Sequence, residues 1–109
     1  MAYDENLAQR VRRLLAPVDN IYERKMFGGL AFMLNGNMCC CVEKENLVIR
    51  TGPDAYDDAL TSPHARVFDF TGRPMRGFVY VESEGLAEEI ALRDWVNTAV
   101  AFASALPPK

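Results

Sequence analysis

The sequence predicts a two-layer α+β fold in which helices pack on an antiparallel sheet. Apolar residues recur at helical spacing near both ends of the chain, whereas the middle contains short apolar segments of the kind that form strands. The pair Asn35-Gly36 separates two of these segments, and an Asn-Gly pair tolerates the positive φ angles of a two-residue hairpin turn. The predicted element order is α-β-β-β-α-β-β-α, which lacks the regular strand-helix alternation of a parallel sheet.

The N-terminal half is predicted to contain one helix followed by a three-stranded meander. Asp4 can cap a helix that ends before Pro17, because its side-chain oxygen accepts from the free N–H groups of the first turn. After a polar connection, Leu30 to Leu34 forms a strand and the hairpin turn returns the chain as Asn37 to Val42. A second polar turn leads into Leu47 to Thr51, which is expected to be an exposed edge strand. The apolar positions of the helix are Leu7, Val11, Leu14 and Leu15.

The C-terminal half is predicted to contain a short helix, two strands and a long helix. Gly52-Pro53-Asp54 indicates a helix start, since proline is preorganised for the first turn. The strands are Val67 to Phe70 and Phe78 to Val81, and the last helix runs from about Glu88 to Ala105. When the five strands are numbered along the chain, the expected sheet order is 5-4-1-2-3, and the last helix covers one face. Its predicted apolar stripe is Leu92, Trp95, Ala99, Phe102, Ala103 and Leu106.

Composition favours an ordinary soluble domain. With 109 residues, half of them hydrophobic, the chain suits one domain spanning residues 1–109 around one core. Arg10, Arg12 and Arg13 interrupt the apolar stretch near the N-terminus. We therefore expect neither a signal peptide nor a membrane-spanning helix, and we expect a cytoplasmic location. The net charge of −3 does not favour strong unaided binding to nucleic acid.

Three consecutive cysteines, Cys39, Cys40 and Cys41, restrict the sulfur chemistry of the chain. Neighbouring Cα atoms lie about 3.8 Å apart, which is too close for an unstrained disulfide. On a regular strand Cys39 and Cys41 would face one side and Cys40 the other, so at most two thiolates could aim at one metal ion. We expect small buried hydrophobic residues here, and a redox or metal role is the alternative.

Four segments and the end of the chain form a combination that is more specific than any one of them. They are Met26-Phe27-Gly28-Gly29, Gly36-Asn37-Met38-Cys39-Cys40, Gly52-Pro53-Asp54-Ala55-Tyr56 and Asp69-Phe70-Thr71-Gly72-Arg73-Pro74-Met75, with Trp95-Val96 through Ala101-Phe102-Ala103 to Leu106-Pro107-Pro108-Lys109 at the end. In this order they resemble the TfoX N-terminal domain family. The resemblance covers nearly the whole chain and implies the same element order in a two-layer antiparallel fold. The sequence departs from the family pattern at Cys41, where glycine is expected.

The resemblance implies a regulatory or protein-binding role. The family is named for a regulator of natural competence, in which a domain of this kind precedes a helical C-terminal domain. It implies no catalytic residues, and the sequence itself shows no catalytic constellation. We therefore expect a non-enzymatic module, without cofactor or metal, that binds a protein partner as a monomer or homodimer. A nucleic-acid-binding accessory domain is the alternative, followed by a small-molecule-binding or thiol-dependent protein.

Basic residues are the first candidates for contact with a partner. A glycine-bracketed loop from Thr71 to Gly77 can display two arginines rather than pack them. The alternative is that these arginines are solvated or pair with Asp69, Asp54 or Glu43. Binding of nucleic acid would require the basic residues to converge on one face with those of the first helix. The interaction candidates are Arg24, Lys25, Arg50, Arg73 and Arg76.

The remaining polar candidates have simpler structural interpretations. His64 belongs to no recognisable nucleophile motif, so a catalytic role is not expected. Asp54 and Asp58 are four residues apart on a short helix, where two carboxylates suit a solvated face. Gly28-Gly29 is followed by no helix start that could aim amides at a phosphate, and close backbone packing is the expected reason for these glycines.

Overall fold

A computed structural model of the chain describes residues 3–26, 28–69 and 72–109. Within these ranges it shows one six-stranded antiparallel sheet, three α-helices and a short 3₁₀ helix, so the predicted α+β class and antiparallel sheet are confirmed. In chain order the elements are α1 (Glu5–Leu15), β1 (Ile21–Met26), β2 (Gly29–Leu34), β3 (Asn37–Glu43), β4 (Asn46–Arg50), α2 (Pro53–Ala59), β5 (Ala65–Val67), β6 (Phe78–Val81), the 3₁₀ helix (Ser83–Leu86) and α3 (Glu89–Ser104).

The order of strands in the sheet is β1-β2-β3-β4-β6-β5, so the predicted five-stranded order 5-4-1-2-3 is wrong. Strand β1 lies outside every predicted strand, because its exposed central residues Tyr22, Glu23, Arg24 and Lys25 show no apolar alternation. It pairs along all of β2 and occupies the edge that the prediction assigns to the last two strands. Those strands extend the sheet from β4 instead. Since β4 is internal, the predicted edge strand at Leu47 to Thr51 is also wrong, and the sheet ends in β1 and β5.

Helices α1 and α3 cover one face of the sheet. Asp4 caps α1 as predicted, because its Oδ1 accepts from the N–H of Asn6 at 2.8 Å and of Leu7 at 3.2 Å. Arg10 on α1 donates to the carbonyl oxygen of Leu86 at 2.8 Å and thereby ties α1 to the turn that precedes α3. The buried residues of α3 are Leu92, Val96, Ala99 and Ala103, so Val96, which the predicted stripe omits, lies in the core, and the half-buried Trp95 of that stripe packs against it.

The opposite face of the sheet is closed by methionine and aromatic side chains. Phe68, just after β5, stacks on Tyr80 of β6 with ring centroids 6.5 Å apart and an interplanar angle of 6°. The N–H of Met75 donates to the carbonyl oxygen of Phe68 at 2.9 Å, which brings the following segment back over this face. Phe27, Phe70 and Thr71, which belong to the sequence motifs, lie outside the described residues. The buried members of this second cluster are Ala31, Met33, Met38, Cys41, Val48 and Phe68.

The turns follow the local sequence signals. Asn35 and Gly36 have φ angles of 53° and 84°, so the predicted two-residue hairpin turn is confirmed. Gly28 and Gly29 are required for different structural reasons. Gly28 adopts a φ of 73°, whereas a Cβ at Gly29 would overlap the backbone carbonyl oxygen of Val42 on β3. The prediction of close backbone packing is therefore confirmed for Gly29 only.

This difference predicts unequal effects of two neighbouring alanine substitutions. Gly29→Ala forces β2 away from β3, and we expect it to lower the free energy of unfolding by about 3 kcal/mol or more. Gly28→Ala meets no neighbouring atom and is expected to cost about 1 kcal/mol, for its positive φ alone. Urea denaturation of both variants measures the difference, and equal losses would contradict the packing argument.

Candidate functional site

The junction between β4 and α2 is fastened to the residue that precedes β6. The carbonyl oxygen of Gly77 accepts from the N–H of Thr51 at 2.7 Å, the N–H of Gly52 at 3.1 Å and the hydroxyl of Thr51 at 3.1 Å. Thr51 is buried, so these hydrogen bonds are sheltered from water. The end of β4, the start of α2 and the start of β6 are therefore held in one place.

The long helix α3 reaches the same junction through Phe102. Gly52 has a φ of 80°, and the Phe102 ring occupies the space that a Cβ at Gly52 would need. Pro53 then begins α2 at its first position, as predicted, and Tyr56 on this helix is buried. Glycine at this position thus allows an aromatic side chain of α3 to lie directly on the β4–α2 backbone.

Two arginines and three aromatic residues meet at this junction. The guanidinium carbon of Arg50 lies 5.4 Å from the ring centroids of both Phe78 and Phe102. The guanidinium carbon of Arg76 lies 5.0 Å from the Tyr56 ring centroid. These distances permit cation–π attraction, which favours this position of each guanidinium group. We refer to Arg50, Tyr56, Arg76, Phe78 and Phe102 as the arginine–aromatic cluster.

Arg50 combines partial burial with the lack of an ion pair. Arg13, Arg24 and Arg73, like Arg50, form no ion pair with any residue in the described ranges, but these three side chains are exposed whereas Arg50 is half-buried. A half-buried charge without a counter-ion keeps strong attraction for an anion, because the protein screens it less than water does. The arginines that form ion pairs are Arg10, Arg12, Arg66, Arg76 and Arg93.

The structure brings only some of the predicted interaction residues together. Arg50 and Arg76 belong to the cluster, and Arg73 is exposed on the segment that leads to it. Arg24 and Lys25 lie on β1, which is separated from β4 by two strands. They also face opposite sides of the sheet, since they are neighbours on one strand. Convergence of the basic residues on one face is therefore absent among these candidates.

The ion pairs formed by the arginines were not visible in the sequence. Arg76 donates to Asp57 at 3.4 Å, not to Asp69, Asp54 or Glu43. Arg12 binds Glu5 at 2.7 Å and Glu23 at 2.5 Å, which joins α1 to the edge strand β1. The hydrogen bond from Arg12 lowers the pKa of Glu23. The Arg76–Asp57 and Arg12–Glu23 pairs depend on tertiary packing, whereas Glu5 and Arg12 lie seven residues apart on one face of α1.

A groove between α2 and α3 opens beside the cluster. Its first part, of about 380 Å³, is lined by Thr51, Asp54, Ala55, Thr98, Ala101 and Phe102. Ala55 and Thr98 continue into a second part of about 370 Å³ that also contains Trp95. Phe102 contributes to both the groove and the cluster. Asp54, Asp58 and Asp94 also line the two parts, so the groove presents acidic as well as apolar side chains. No pattern in the sequence indicates this groove, because residues of α2 and α3 come to line the same space only in the folded chain.

The three cysteines do not alternate as a regular strand would require. Phe32 pairs with Cys40 and Met33 pairs with Met38, so Cys39 is the extra residue of a β-bulge. Cys39 and Cys40 consequently both belong to the core beneath the helices, and Cys41 belongs to the opposite cluster. The prediction that Cys39 and Cys41 share a face is therefore wrong. All three thiols are buried and free, which fits the expected role as small hydrophobic residues.

The environment of the thiols disfavours the thiolate form. A hydrogen bond with Cys39 and burial raise the pKa of Cys40. Burial, with a smaller contribution from Glu43, raises the pKa of Cys41 to about 12. Since the thiolate is the nucleophile and the metal ligand, both residues are held in their unreactive form at neutral pH. Within the described ranges, no group of three or more histidine, cysteine, aspartate and glutamate residues is arranged to hold a metal ion.

His64 and Tyr80 occupy structural positions. The carbonyl oxygen of His64 accepts from the N–H of Glu82 at 2.9 Å, next to β5 and β6. Asn46 donates to the Tyr80 hydroxyl at 2.6 Å and accepts from the N–H of Ser83 at 3.0 Å, which anchors the 3₁₀ helix to β4. Burial is the main cause of a raised pKa at Tyr80.

In the part of the chain that is described, no helix has both the length and the apolar character to cross a bilayer.

The burial of all three cysteines predicts a simple result in thiol titration. At pH 8 the native protein should react with none of its three cysteines on the time scale of minutes, and all three should react once urea unfolds it. Absorbance with a chromogenic disulfide reagent gives the count. Rapid reaction of one thiol in the native protein would contradict this expectation and support the alternative of a thiol-dependent protein.

The raised pKa values also predict how stability depends on pH. A thiol with an ordinary pKa of 9.0 ionises in the unfolded chain first, whereas Cys41 in the folded chain keeps its proton up to about pH 12. The stabilisation is therefore complete below pH 9 and is lost as the pH rises towards 12. We expect the urea midpoint to fall over this range, and the fall should be smaller in Cys41→Ala. An identical fall in both proteins would assign the effect to other groups.

A comparison with known families identifies the family of this chain. The family model for the TfoX N-terminal domain matches residues 13–103, a range that contains all six described strands, α2, and α3 except its last residue. No curated protein matches the chain in a sequence search. The matched range covers most of the chain, and the chain therefore belongs to the TfoX N-terminal domain family.

Proposed function

We propose that this chain is a non-enzymatic interaction module with a regulatory role, and that its protein partner contacts the arginine–aromatic cluster. The observation that carries the proposal is Arg50, which is half-buried, fixed over two rings and without an ion pair to any described residue. Arginine and aromatic residues dominate the energetics of protein interfaces, because they combine large contact area with directed hydrogen bonds. Membership of the TfoX N-terminal domain family supports the regulatory part of the proposal.

The other polar candidates support this choice by their structural roles. The thiols are buried, and His64 lies at a strand junction through its backbone. Arg10 and Arg12 join α1 to neighbouring elements, so they contribute to folding rather than to a free surface. The cluster remains as a place where charged donors, aromatic rings and an open groove adjoin one another.

Nucleic acid is a weaker candidate partner. A phosphate backbone requires several cations along one face, whereas Arg24 and Lys25 lie far across the sheet from Arg50. Asp54 and Asp57 lie on α2 beside the cluster and would repel a polyanion. We therefore assign the contact to protein.

A pull-down with paired charge variants tests the proposal. The bait is the purified chain, exposed to an extract of cells that express it, and the test variant is Arg50→Gln with Arg73→Gln. The matched control is Arg13→Gln with Arg24→Gln, which removes the same charge from arginines that also lack ion pairs. We expect the test variant to lose its partner by about tenfold or more, as for a central interface arginine.

Thermal unfolding of both variants shows whether the fold is intact. A partner retained equally by wild type and both variants would remove the cluster from consideration. A partner lost equally from both variants would point to general electrostatic attraction rather than to the cluster. Loss of binding after nuclease treatment of the extract would favour nucleic acid.

A further inference from the structure

We infer that β1 is an interaction surface for a second copy of this chain, whose own β1 adds to it in antiparallel orientation. The two copies then share one continuous sheet across this edge. In the inferred register Glu23 lies opposite Lys25 of the second copy, and Arg24 lies opposite its own counterpart. The surface is separate from the arginine–aromatic cluster, because β2 and β3 lie between β1 and β4. The inference goes beyond the proposed function and does not depend on it.

Strand β1 forms the longer of the two open edges of the sheet. It contains six residues and lies at one end of the strand order, whereas β5 at the other end contains three. The four central side chains of β1, from Tyr22 to Lys25, are exposed, so the strand is accessible from solvent. An edge strand of this kind offers unpaired backbone groups to a strand of another chain.

The hydrogen-bond pattern with β2 determines which backbone groups of β1 remain free. The N–H of Asn35 donates to the carbonyl oxygen of Asn20 at 3.1 Å, directly before the strand. Hydrogen-bonded and non-hydrogen-bonded pairs alternate along an antiparallel ladder, so the even-numbered residues of β1 bind β2, whereas Glu23 and Lys25 direct their N–H and C=O groups away from it. A second copy can bond only to these outward groups. The pattern therefore excludes a register in which Glu23 lies opposite Arg24, and it places opposed residues on the same face of the shared sheet.

The charges on the helix side of β1 complement each other in one register. Arg12 binds Glu5 at 2.7 Å and Glu23 at 2.5 Å, so two carboxylates surround a single guanidinium group. Lys25 lies on the same side as Glu23, two residues along the strand, and it forms no ion pair with any described residue. When Lys25 of the second copy lies opposite Glu23, it supplies a second positive charge. Symmetry produces this pair twice, and opposite charges directly across an antiparallel pair stabilise it.

The other face of β1 limits the affinity. In the same register Tyr22 lies opposite Met26 of the second copy, whereas Arg24 lies opposite Arg24, where the like charges repel. The other registers that the hydrogen-bond pattern allows contain no pair of opposite charges. One neighbouring register opposes Glu23 to Glu23, and the other opposes Lys25 to Lys25. A short shared edge with two favourable ion pairs and one unfavourable contact makes a weak, reversible dimer, with a Kd on the order of 0.1 mM.

Sedimentation equilibrium of the purified chain and of charge variants tests the inference. The protein is measured at concentrations up to roughly ten times this Kd, and circular dichroism verifies that each variant is folded. We expect Lys25→Glu to weaken the dimer by about tenfold or more, because it replaces attraction by repulsion, and Arg24→Thr to strengthen it by about threefold, because it removes the repulsive contact. The control Arg13→Gln changes an exposed arginine of α1 and should leave the dimer unchanged.

A mixing experiment separates pairing across the edge from a structural role of the same residues. Lys25→Glu and Glu23→Lys each oppose like charges when they pair with themselves, whereas an equimolar mixture of the two opposes Glu to Lys at both positions. We expect the mixture to dimerise at least about tenfold more tightly than either variant alone. A loss of stability within one copy would not be restored by the other copy, so a mixture that dimerises no better than its components would contradict the inferred pairing.

Cross-linking identifies the strand and its register. Arg24 is the one residue of β1 that meets its own counterpart, so Arg24→Cys should form an intermolecular disulfide on mild oxidation with copper phenanthroline, whereas Glu23→Cys should not. The three native cysteines are buried, so the wild-type chain should form no cross-link. A wild-type chain that stays monomeric at the highest concentration would overturn the inference. So would a dimer that is insensitive to Lys25→Glu, or cross-linking through residue 23 rather than residue 24.

Discussion

The carbonyl oxygen of Gly77 is the point on which the arrangement of the site depends. It accepts from both backbone N–H groups at the end of β4 and from the Thr51 hydroxyl, so a single acceptor joins β4, α2 and β6. Gly52 then leaves room for Phe102, which brings α3 to the same place. Arg50 contacts Phe78 and Phe102 because these elements meet there. The cluster is thus a consequence of backbone hydrogen bonding at a strand-to-helix junction, not of a contiguous sequence motif.

Local backbone structure could be predicted from the sequence wherever one residue or one short motif determines it. Asp4 caps α1, Asn35-Gly36 forms the hairpin turn and Pro53 starts α2, because each acts on its own backbone or that of its near neighbours. Strand β1 could not be predicted in this way. It is held by pairing with β2 and by the Arg12–Glu23 ion pair, and neither leaves an apolar pattern along the strand.

One unpredicted strand accounts for the errors in topology. Once β1 occupies the free edge of β2, the last two strands can extend the sheet only from β4, which converts the predicted edge strand into an internal one. Residues of α2 and α3 come to line the groove only in the folded chain. Of the five predicted interaction residues, the sequence could identify Arg50 only as one cation among others, because its burial and its lack of an ion pair depend on this topology.

The bulge at Cys39 shows how a sequence pattern can give the wrong side-chain orientation when the strand departs from regular geometry. Three adjacent cysteines suggest alternating thiols, yet the extra residue turns Cys39 towards the side of Cys40 and leaves Cys41 with the methionines of the opposite face. Each thiol thereby fills a small space in one of two packed clusters. A hydrogen bond with Cys39 together with burial raises the pKa of Cys40, and burial raises the pKa of Cys41. Packing on both faces of the sheet thus disfavours the thiolate forms of Cys40 and Cys41. The half-buried guanidinium group of Arg50, by contrast, lies over the Phe78 and Phe102 rings and forms no ion pair with any described residue.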